Sequence, residues 1–206
     1  MRLPMLRKYF IMGSQNCDPS HSPVRILESA IVGGITAFQF REKGKGSLTG
    51  NSKLELGKQL RETCRQHNIP FIINDDVDLA MSLDVDGIHV GQEDVSVKEV
   101  RKLFPNLVLG LSVSNKRELA NSPLSMVDYI GAGPIYATST KADAKDTVGV
   151  TWIKELRRDF PDLPIVGIGG IDTYNAAEVI KAGADGVSVI SVVTNAKNII
   201  NVVKAL

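Results

Sequence analysis

Short apolar runs alternate strictly with amphipathic segments along the 206 residues of the chain. This alternation predicts an α/β fold, a single-domain (β/α)8 TIM barrel that spans residues 1–206. Several of the runs are apolar on both faces, as in a parallel sheet that helices cover on both sides. An open doubly wound sheet is the alternative. The closed barrel is favoured because eight strand–helix units follow one another in strict alternation, and no linker, charge run or change in composition divides the chain into domains.

The predicted strands are short and rich in β-branched residues. They cover residues 9–12, 37–41, 71–74, 87–90, 108–112, 129–132, 165–168 and 186–190. The predicted helices carry apolar residues at helical spacing. They lie near residues 24–32, 51–66, 77–83, 95–104, 116–122, 150–159, 174–182 and 196–206. In such a barrel the carboxyl ends of the strands form the face that carries active sites, so polar residues there are the functional candidates.

The 18 glycines of the chain fall into two groups along this pattern. Glycines such as Gly110 and Gly131 are expected at helix ends and strand starts, where tight turns need them. Others, including Gly169 and Gly170, follow strands, where a bare backbone can approach a ligand closely.

Composition excludes several classes of partner. The chain has 24 basic and 23 acidic residues and a net charge of +1, so it has no overall field that attracts nucleic acid or an anionic membrane. No stretch is long and apolar enough to span a bilayer or to act as a signal peptide. Cys17 and Cys64 have neither metal-ligand spacing nor the number needed for a disulfide framework. We therefore expect a cytoplasmic protein with no nucleic-acid or membrane partner.

A cationic cluster ends the second predicted strand. The alternation of side chains along a strand places Gln39, Arg41 and Lys43 on one face, with Phe38 and Phe40 on the other. The aromatic face is expected to pack against helices, so the polar face points toward the barrel mouth. Two cations and an amide suit a ligand with several anionic oxygens. A strand end that is merely solvated is the alternative.

Acidic residues follow the third and fourth predicted strands. Asp76 is expected to cap the next helix, which leaves Asn74 and Asp75 without a structural explanation. Asp94 follows the neighbouring strand. Two carboxylates from adjacent strand ends can share Mg²⁺, which takes few protein ligands together with phosphate oxygens. Simple ion pairing with the nearby cations is the alternative.

Two further polar residues lie on the fourth and fifth predicted strands. His89 alternates with apolar neighbours and is expected to face inward, where a packed, hydrogen-bonded histidine is favoured over a catalytic one. Ser112 has no visible histidine and aspartate partners, so a hydrogen-bonding role is favoured over a nucleophilic one.

Phosphate-binding features follow the last three predicted strands. The long connection over residues 131–143 contains Thr138, Thr140 and Lys141, which can close over a phosphate group like a lid. An ordinary flexible loop is the alternative. The loops after the seventh and eighth strands contain Gly170 and Ser191, and in many barrels this pair of loops binds phosphate through backbone N–H groups. Two phosphorylated ligands that meet at one barrel mouth indicate a transfer reaction between them.

A set of motifs runs through nearly the whole chain in a fixed order. They are QFREK at 39–43, INDD at 73–76, GIHVGQED at 87–94, GLS at 110–112, GPIYATSTKADA at 133–144, VGIGGI at 166–171 and GADGVSVIS at 183–191. With these motifs the chain resembles the thiamin phosphate synthase family. The last two motifs are shared with many phosphate-binding barrels, whereas the first ones in this order are specific.

The resemblance implies an Mg²⁺-dependent transferase that joins hydroxymethylpyrimidine diphosphate to hydroxyethylthiazole phosphate and releases pyrophosphate. It implies that pyrophosphate leaves first and that the thiazole nitrogen traps a pyrimidine carbocation. The diphosphate ligands would be Arg41, Lys43, Asn74 and Lys141. The pyrimidine would contact Gln39 and Ser112. The thiazole phosphate would bind Thr138, Thr140, Gly170, Ile190 and Ser191. One Mg²⁺ per subunit would bind Asp75 and Asp94. The catalytic groups would be Arg41, Lys43, Lys141 and Ser112. The resemblance also suggests self-association.

Two positions depart from the family pattern. Related thiazole tautomerases carry a histidine shortly after the serine of the fifth strand, where this chain has Ser114. Because tautomerisation needs a proton shuttle, this difference argues against a tautomerase. Ala137 stands where a proline is common in the lid. A non-catalytic regulator that binds thiamin phosphate is a third alternative, which the complete set of motifs disfavours.

Overall fold

The strands of the computed structural model are parallel, follow one another in chain order and close into a barrel. The structure describes residues 3–138, 140 and 146–206, and within these ranges it contains eight strands and nine α-helices. The strands are β1 Lys8–Met12, β2 Ala37–Phe40, β3 Phe71–Asn74, β4 Gly87–Val90, β5 Val108–Val113, β6 Tyr129–Ala132, β7 Ile165–Ile168 and β8 Gly186–Val189. Pairing of β1 with β8 closes the sheet and confirms the predicted barrel.

The helices surround the barrel and connect its strands. They are α1 Pro23–Gly33, α2 Gly50–Gln66, α3 Val77–Ser82, α4 Val97–Leu103, α5 Lys116–Asn121, α6 Gly149–Asp159, α7 Ala176–Lys181, α8 Ser191–Thr194 and α9 Ile199–Ala205. The predicted helix over 196–206 is wrong in its extent, because the side chain of Asn198 accepts the N–H of Asn201 and starts α9 later. No helix in the described part of the chain combines the length and the apolar character that a bilayer-crossing segment needs.

The core has two layers, as the alternation of side chains along the strands predicts. Between strands and helices lie Phe38 and Phe40, which contact the ring of Phe71. Inside the barrel lies a separate buried cluster, made of Leu6, Tyr9, Ala37, Ile72, Tyr129 and Val166. The inner layer contains the phenol groups of Tyr9 and Tyr129, whose hydroxyl oxygens are 2.9 Å apart.

A double hydrogen bond recurs at the amino-terminal rim of the barrel. The residue that precedes each even-numbered strand donates its N–H to the carbonyl oxygen of a residue on the preceding strand. The side chain of the donor residue accepts the N–H of that same partner at 2.8–2.9 Å. The pairs are Thr36 with Lys8, Asp86 with Phe71, Asp128 with Leu109, and Asp185 with Ile165. We call these contacts the rim clamps, and each of them fixes the register of one strand pair.

An arginine of the preceding even-numbered helix reinforces each aspartate of the rim clamps. The ion pairs are Arg61 with Asp86 at 3.2 Å, Arg101 with Asp128 at 2.8 Å, and Arg157 with Asp185 at 2.6 Å. Arg157 also donates to the carbonyl groups of Leu163 and Gly183, so one side chain connects a helix to two loops. The amino-terminal rim thus holds the register, which leaves the opposite rim free to carry a site.

We expect removal of one charged clamp to destabilise the whole barrel. In Asp185→Ala the N–H of Ile165 loses its acceptor and Arg157 loses its anion, which costs about 2–3 kcal/mol of unfolding free energy. Thr36→Val removes a neutral clamp of the same geometry and should cost about 1 kcal/mol. Urea denaturation of both variants measures the difference. Equal losses in the two variants would show that the arginine pair adds nothing.

We expect the inner phenols to make the fold sensitive to alkali. Burial raises the pKa of Tyr9 and of Tyr129 above the ordinary value near 10. Their contribution to stability is therefore complete below about pH 10 and is lost as the pH rises, because the unfolded chain then releases protons that the folded chain retains. Each phenol should add about 1.4 kcal/mol per pH unit to this loss.

Unfolding by urea between pH 9 and pH 11 tests this effect. Tyr9→Phe should make the decline shallower by the contribution of one phenol, whereas Tyr174→Phe should leave it unchanged, because Tyr174 is 96% exposed. The same slope in wild type and Tyr9→Phe would contradict the expectation.

Candidate active site

A cavity of about 560 Å³ opens at the carboxyl ends of the strands. Most of the residues that the sequence predicts for the site line it: Arg41, Lys43, Asn74, Asp75, Asp94, Ser112, Thr138, Thr140, Gly170, Ile190 and Ser191. Gln39 lies one layer deeper, in the wall of a much smaller cavity. Lys141 lies outside the described residues. The barrel therefore gathers residues from distant parts of the sequence at one mouth.

The backbone of the cationic wall is held in place by hydrogen bonds from the loop after β1. The side-chain amide of Gln15 donates to the carbonyl oxygens of Arg41 and Lys43, at 2.8 and 3.2 Å. Between them Glu42 turns away and accepts the N–H groups of Ser14 and of the loop after β2. Sequence reasoning missed Ser14, Gln15 and Glu42, because the contacts that join them connect the loop after β1 to the loop after β2.

Arg41 is buried although it carries a charge. Its side chain is only 8% exposed, and its Nε has no hydrogen-bond partner among the described residues. An unpaired buried N–H is costly, by about 1–3 kcal/mol. Because Arg41 lines the cavity, its guanidinium group is available to an anionic ligand there.

Lys43 bridges two carboxylates at the same wall. Its Nζ donates to Asp75 and, at 2.9 Å, to Asp94. Burial opposes the charge of Lys43, but the hydrogen bonds and charges of the two acids outweigh it and raise the pKa of the amine. Burial raises the pKa of Asp75, and the charge of Asp94 acts in the same direction. For Asp94 burial is outweighed by hydrogen bonds from Lys43 and from the N–H of Gly91, which lower its pKa.

The two carboxylates fit a divalent cation. They converge on one positive group, so two carboxylate charges face the single ammonium of Lys43. Hard carboxylate oxygens are the protein ligands that Mg²⁺ prefers, with water and phosphate completing its shell. The described residues contain no cluster of three or more histidine, cysteine, aspartate or glutamate side chains suited to a metal, so other ligands would come from water or substrate. Asp76, by contrast, caps α3 as predicted.

A chain of hydrogen bonds crosses the floor of the cavity. The amide of Gln39 donates to the hydroxyl of Tyr9 at 2.8 Å, and that hydroxyl is 2.9 Å from the hydroxyl of Tyr129. The hydroxyl of Tyr129 is 3.0 Å from Nδ1 of His89, whose Nε2 is 2.8 Å from Oγ of Ser112. We call these five residues the floor relay. His89 is thus the packed, hydrogen-bonded histidine that the sequence favours.

Two glycines make room for the floor relay. A Cβ on Gly110 would lie 2.4 Å from Nδ1 of His89 and 2.5 Å from the hydroxyl oxygen of Tyr129. A Cβ on Gly131 would lie 3.2 Å from the imidazole ring. Both glycines lie within strands, so the expectation that they serve turns or strand starts is wrong. Their role is to leave space for the ring of His89.

Hydroxyl groups line the opposite wall. Oγ1 of Thr140 is 3.3 Å from Oγ of Ser191, and Thr138 accepts the N–H of Thr140 at the same distance. Gly170 has a left-handed φ of +63°, and a Cβ there would lie 2.5 Å from the carbonyl oxygen of Ala137. Glycine is therefore required where the loop after β6 packs on the loop after β7.

Ser114 also lines the cavity, and its N–H donates to the carboxylate of Glu118 at 2.8 Å. The position that carries a histidine in tautomerases is thus held by a small hydroxyl side chain at the start of α5.

Comparison with known proteins gives one consistent result. The family model described as thiamine monophosphate synthase matches residues 8–193. The thiamine-phosphate synthase of Oceanobacillus iheyensis is 59% identical over 202 residues, which cover 98% of this chain and 97% of that protein. The thiamine-phosphate synthase of Bacillus velezensis is 52% identical over 198 residues, with coverage of 96% and 88%.

The solved structures agree. The thiamine phosphate pyrophosphorylase from Pyrococcus furiosus superposes with a TM-score of 0.84 at 31% identity, covering 98% of this chain and 94% of that chain. The thiamine phosphate pyrophosphorylase from Bacteroides thetaiotaomicron, at 16% identity and a TM-score of 0.65, shares the fold. The match over nearly the whole sequence and over the barrel leads to one conclusion: the chain belongs to the thiamine monophosphate synthase family.

Proposed function

We propose that the chain is a transferase that joins hydroxymethylpyrimidine diphosphate to hydroxyethylthiazole phosphate, with thiamin phosphate and pyrophosphate as products. Family membership supports the reaction class. The observation that carries the proposal is that one cavity is lined on one side by Arg41 and Lys43 and on the other by Thr138, Thr140 and Ser191. Two walls that each suit phosphate oxygens can hold two phosphorylated substrates with their reactive ends together.

In the proposed reaction the bond between the pyrimidine methylene carbon and the diphosphate oxygen breaks first. The diphosphate leaves with the bonding electron pair, and the thiazole nitrogen then donates its lone pair to the methylene carbon. Arg41 and Lys43 stabilise the negative charge that develops on the leaving group. The step needs no base to remove a proton, which agrees with carboxylates at this wall that are engaged by Lys43.

We propose that Asp75 and Asp94 hold Mg²⁺ and that Asn74 and Lys141 contact the same diphosphate. A bound Mg²⁺ would supply additional neutralisation of the leaving group. In this arrangement Lys43 exchanges one of its carboxylate contacts for a phosphate oxygen. Ser112 would contact the pyrimidine, with Gln39 beneath it. Backbone groups at Gly170 and Ile190, with the hydroxyls of the opposite wall, would hold the thiazole phosphate.

The proposal includes a cytoplasmic setting and small molecules as the only substrates. Free thiols at Cys17 and Cys64 agree with a reducing compartment. Self-association stays a prediction from the family resemblance.

The proposed activity is tested by mixing both substrates with Mg²⁺ and measuring thiamin phosphate and pyrophosphate, which should form in equal amounts. Arg41→Met removes a charge-stabilising group and should lower kcat/KM by about 10²–10³-fold. Lys45→Met removes a neighbouring cation of the same loop that lies outside the cavity and should leave the rate unchanged.

Other outcomes of this assay would reject the proposal. No product from well-folded wild-type protein, together with binding of thiamin phosphate, would indicate the regulator. Isomerisation of the thiazole carboxylate phosphate without pyrimidine or metal would indicate a tautomerase.

The metal site predicts a specific effect of Asp94→Asn. Removal of one carboxylate charge should weaken binding of Mn²⁺, used as a probe for Mg²⁺, by about tenfold or more in the presence of pyrophosphate. Electron paramagnetic resonance of free Mn²⁺ measures this binding without relying on turnover. Asp78→Asn, which removes an exposed carboxylate three residues after Asp75 and outside the cavity lining, is the matched control and should bind Mn²⁺ as the wild type does. Equal weakening in both variants would indicate a diffuse charge effect instead of a site.

A further inference from the structure

We infer that the floor relay holds His89 as the tautomer with hydrogen on Nε2, so that Ser112 presents its own hydroxyl hydrogen to the cavity. Tyr129 and His89 are then positioning residues that make Ser112 a hydrogen-bond donor toward the ligand. The inference concerns the direction of hydrogen bonds in the relay and follows from which of its atoms can donate.

The direction is set at the Gln39 end. In the structure the amide nitrogen of Gln39 faces the hydroxyl of Tyr9, and an amide nitrogen can only donate. Oη of Tyr9 is therefore an acceptor toward Gln39. The hydrogen of Tyr9 must go to another partner, and among the described residues that partner is the hydroxyl of Tyr129, 2.9 Å away.

The direction of the hydrogen bonds continues from Tyr129 through His89 to Ser112. Because Tyr129 accepts from Tyr9, its own hydrogen goes to Nδ1 of His89 at 3.0 Å. Nδ1 is then an acceptor, and the neutral imidazole carries its hydrogen on Nε2. Nε2 donates to Oγ of Ser112 at 2.8 Å, which leaves the hydroxyl hydrogen of Ser112 free to point into the cavity that Ser112 lines.

The opposite direction leaves a buried donor without an acceptor. If Nδ1 of His89 carried a hydrogen, Tyr129 would accept it and donate to Tyr9, and the hydrogen of Tyr9 would then have no acceptor within hydrogen-bonding distance among the described residues. Tyr9 and Tyr129 are 1% and 0% exposed, so neither hydroxyl can turn to bulk solvent. An unpaired buried hydroxyl is destabilising. A doubly protonated imidazole would also donate from Nδ1 to Tyr129, so the hydrogen of Tyr9 would again have no acceptor.

The direction of the relay determines what the floor of the cavity recognises. A serine that donates suits a ligand with an acceptor at that point, such as a ring nitrogen of a pyrimidine, and disfavours one that presents an N–H there. This consequence rests on the proposed synthase function, whereas the tautomer of His89 does not.

Nitrogen-15 NMR of the ligand-free protein near pH 8 tests the tautomer directly. We expect Nδ1 of His89 to be unprotonated and Nε2 to be protonated. The chain has three histidines, and the other two assign the signals through His21→Gln and His67→Gln. His67 is an internal reference of opposite type, since its Nδ1 lies 2.9 Å from the carbonyl oxygen of Thr63 and must donate to it. A protonated Nδ1 on His89 would overturn the inference.

Two phenylalanine variants separate the relay from simple packing. Tyr129→Phe removes the donor to Nδ1 and should abolish the preference for hydrogen on Nε2. Tyr9→Phe removes one oxygen from the same inner layer but leaves the hydroxyl of Tyr129 next to Nδ1, so the tautomer should persist. An unchanged tautomer in Tyr129→Phe would contradict the assignment. If that variant does not fold, the wild-type spectrum and Tyr9→Phe still decide, since loss of the tautomer in Tyr9→Phe would also contradict it.

Kinetics test the consequence for the ligand. Tyr129→Phe should raise the KM for hydroxymethylpyrimidine diphosphate by about threefold to tenfold, the effect of one misdirected hydrogen bond, with a much smaller change in kcat. The exposed Tyr174→Phe should change neither parameter. An unchanged KM in Tyr129→Phe would refute the role in recognition. Absence of any synthase activity in the wild type would refute the proposed function and leave the NMR result standing.

Discussion

The rim clamps fix the register of four strand pairs, and this register determines which side chains of these strands point into the barrel. Each clamp fixes the register of a strand pair, and a slip of one residue would move the inward side chains of a strand into the helix layer. With the register of β5 and β6 held by the contact of Asp128 with Leu109, Ser112 lies opposite Gly131, one of the two glycines beside the imidazole ring of His89. The room for the imidazole ring therefore depends on hydrogen bonds at the far end of the barrel.

The cavity divides its chemistry among three surfaces. One wall carries charge, with Arg41 and Lys43 facing two carboxylates, and the opposite wall offers hydroxyl groups around Thr140. The floor is made of buried, hydrogen-bonded groups, because burial keeps the hydroxyls of Tyr9 and Tyr129 protonated. Charge on the walls suits phosphate groups, whereas directed hydrogen bonds on the floor suit a neutral ring. Under the proposed function, these different surfaces would let one small cavity distinguish the two ends of a substrate.

The sequence predicts features that depend on local periodicity and misses those that depend on closure. Side-chain alternation predicts that Arg41 and Lys43 point toward the barrel mouth. Asp75 and Asp94 are predicted beside them because they follow the carboxyl ends of neighbouring strands, which form the same face of the barrel. Tyr9 and Tyr129 are 120 residues apart, so only the closed sheet brings their hydroxyls together. Gly110 and Gly131 resemble turn glycines for the same reason, since the ring that fills their space belongs to another strand. Glu42 was overlooked because one of its partners, Ser14, lies on the loop after β1 and the other, Leu48, is brought to it by the folding of its own loop.

Asp75 shows how the site competes with the stability of the fold. It has a left-handed φ of +50°. This backbone conformation costs residues other than glycine about 1 kcal/mol or more. The chain tolerates this strain at the end of β3, where the carboxylate meets Lys43. Glycine would relax the backbone there and remove the carboxylate at the same time. Selection for thermostability alone would therefore favour loss of the Asp75 carboxylate. The trade-off between stability and the proposed activity is confined to this one residue.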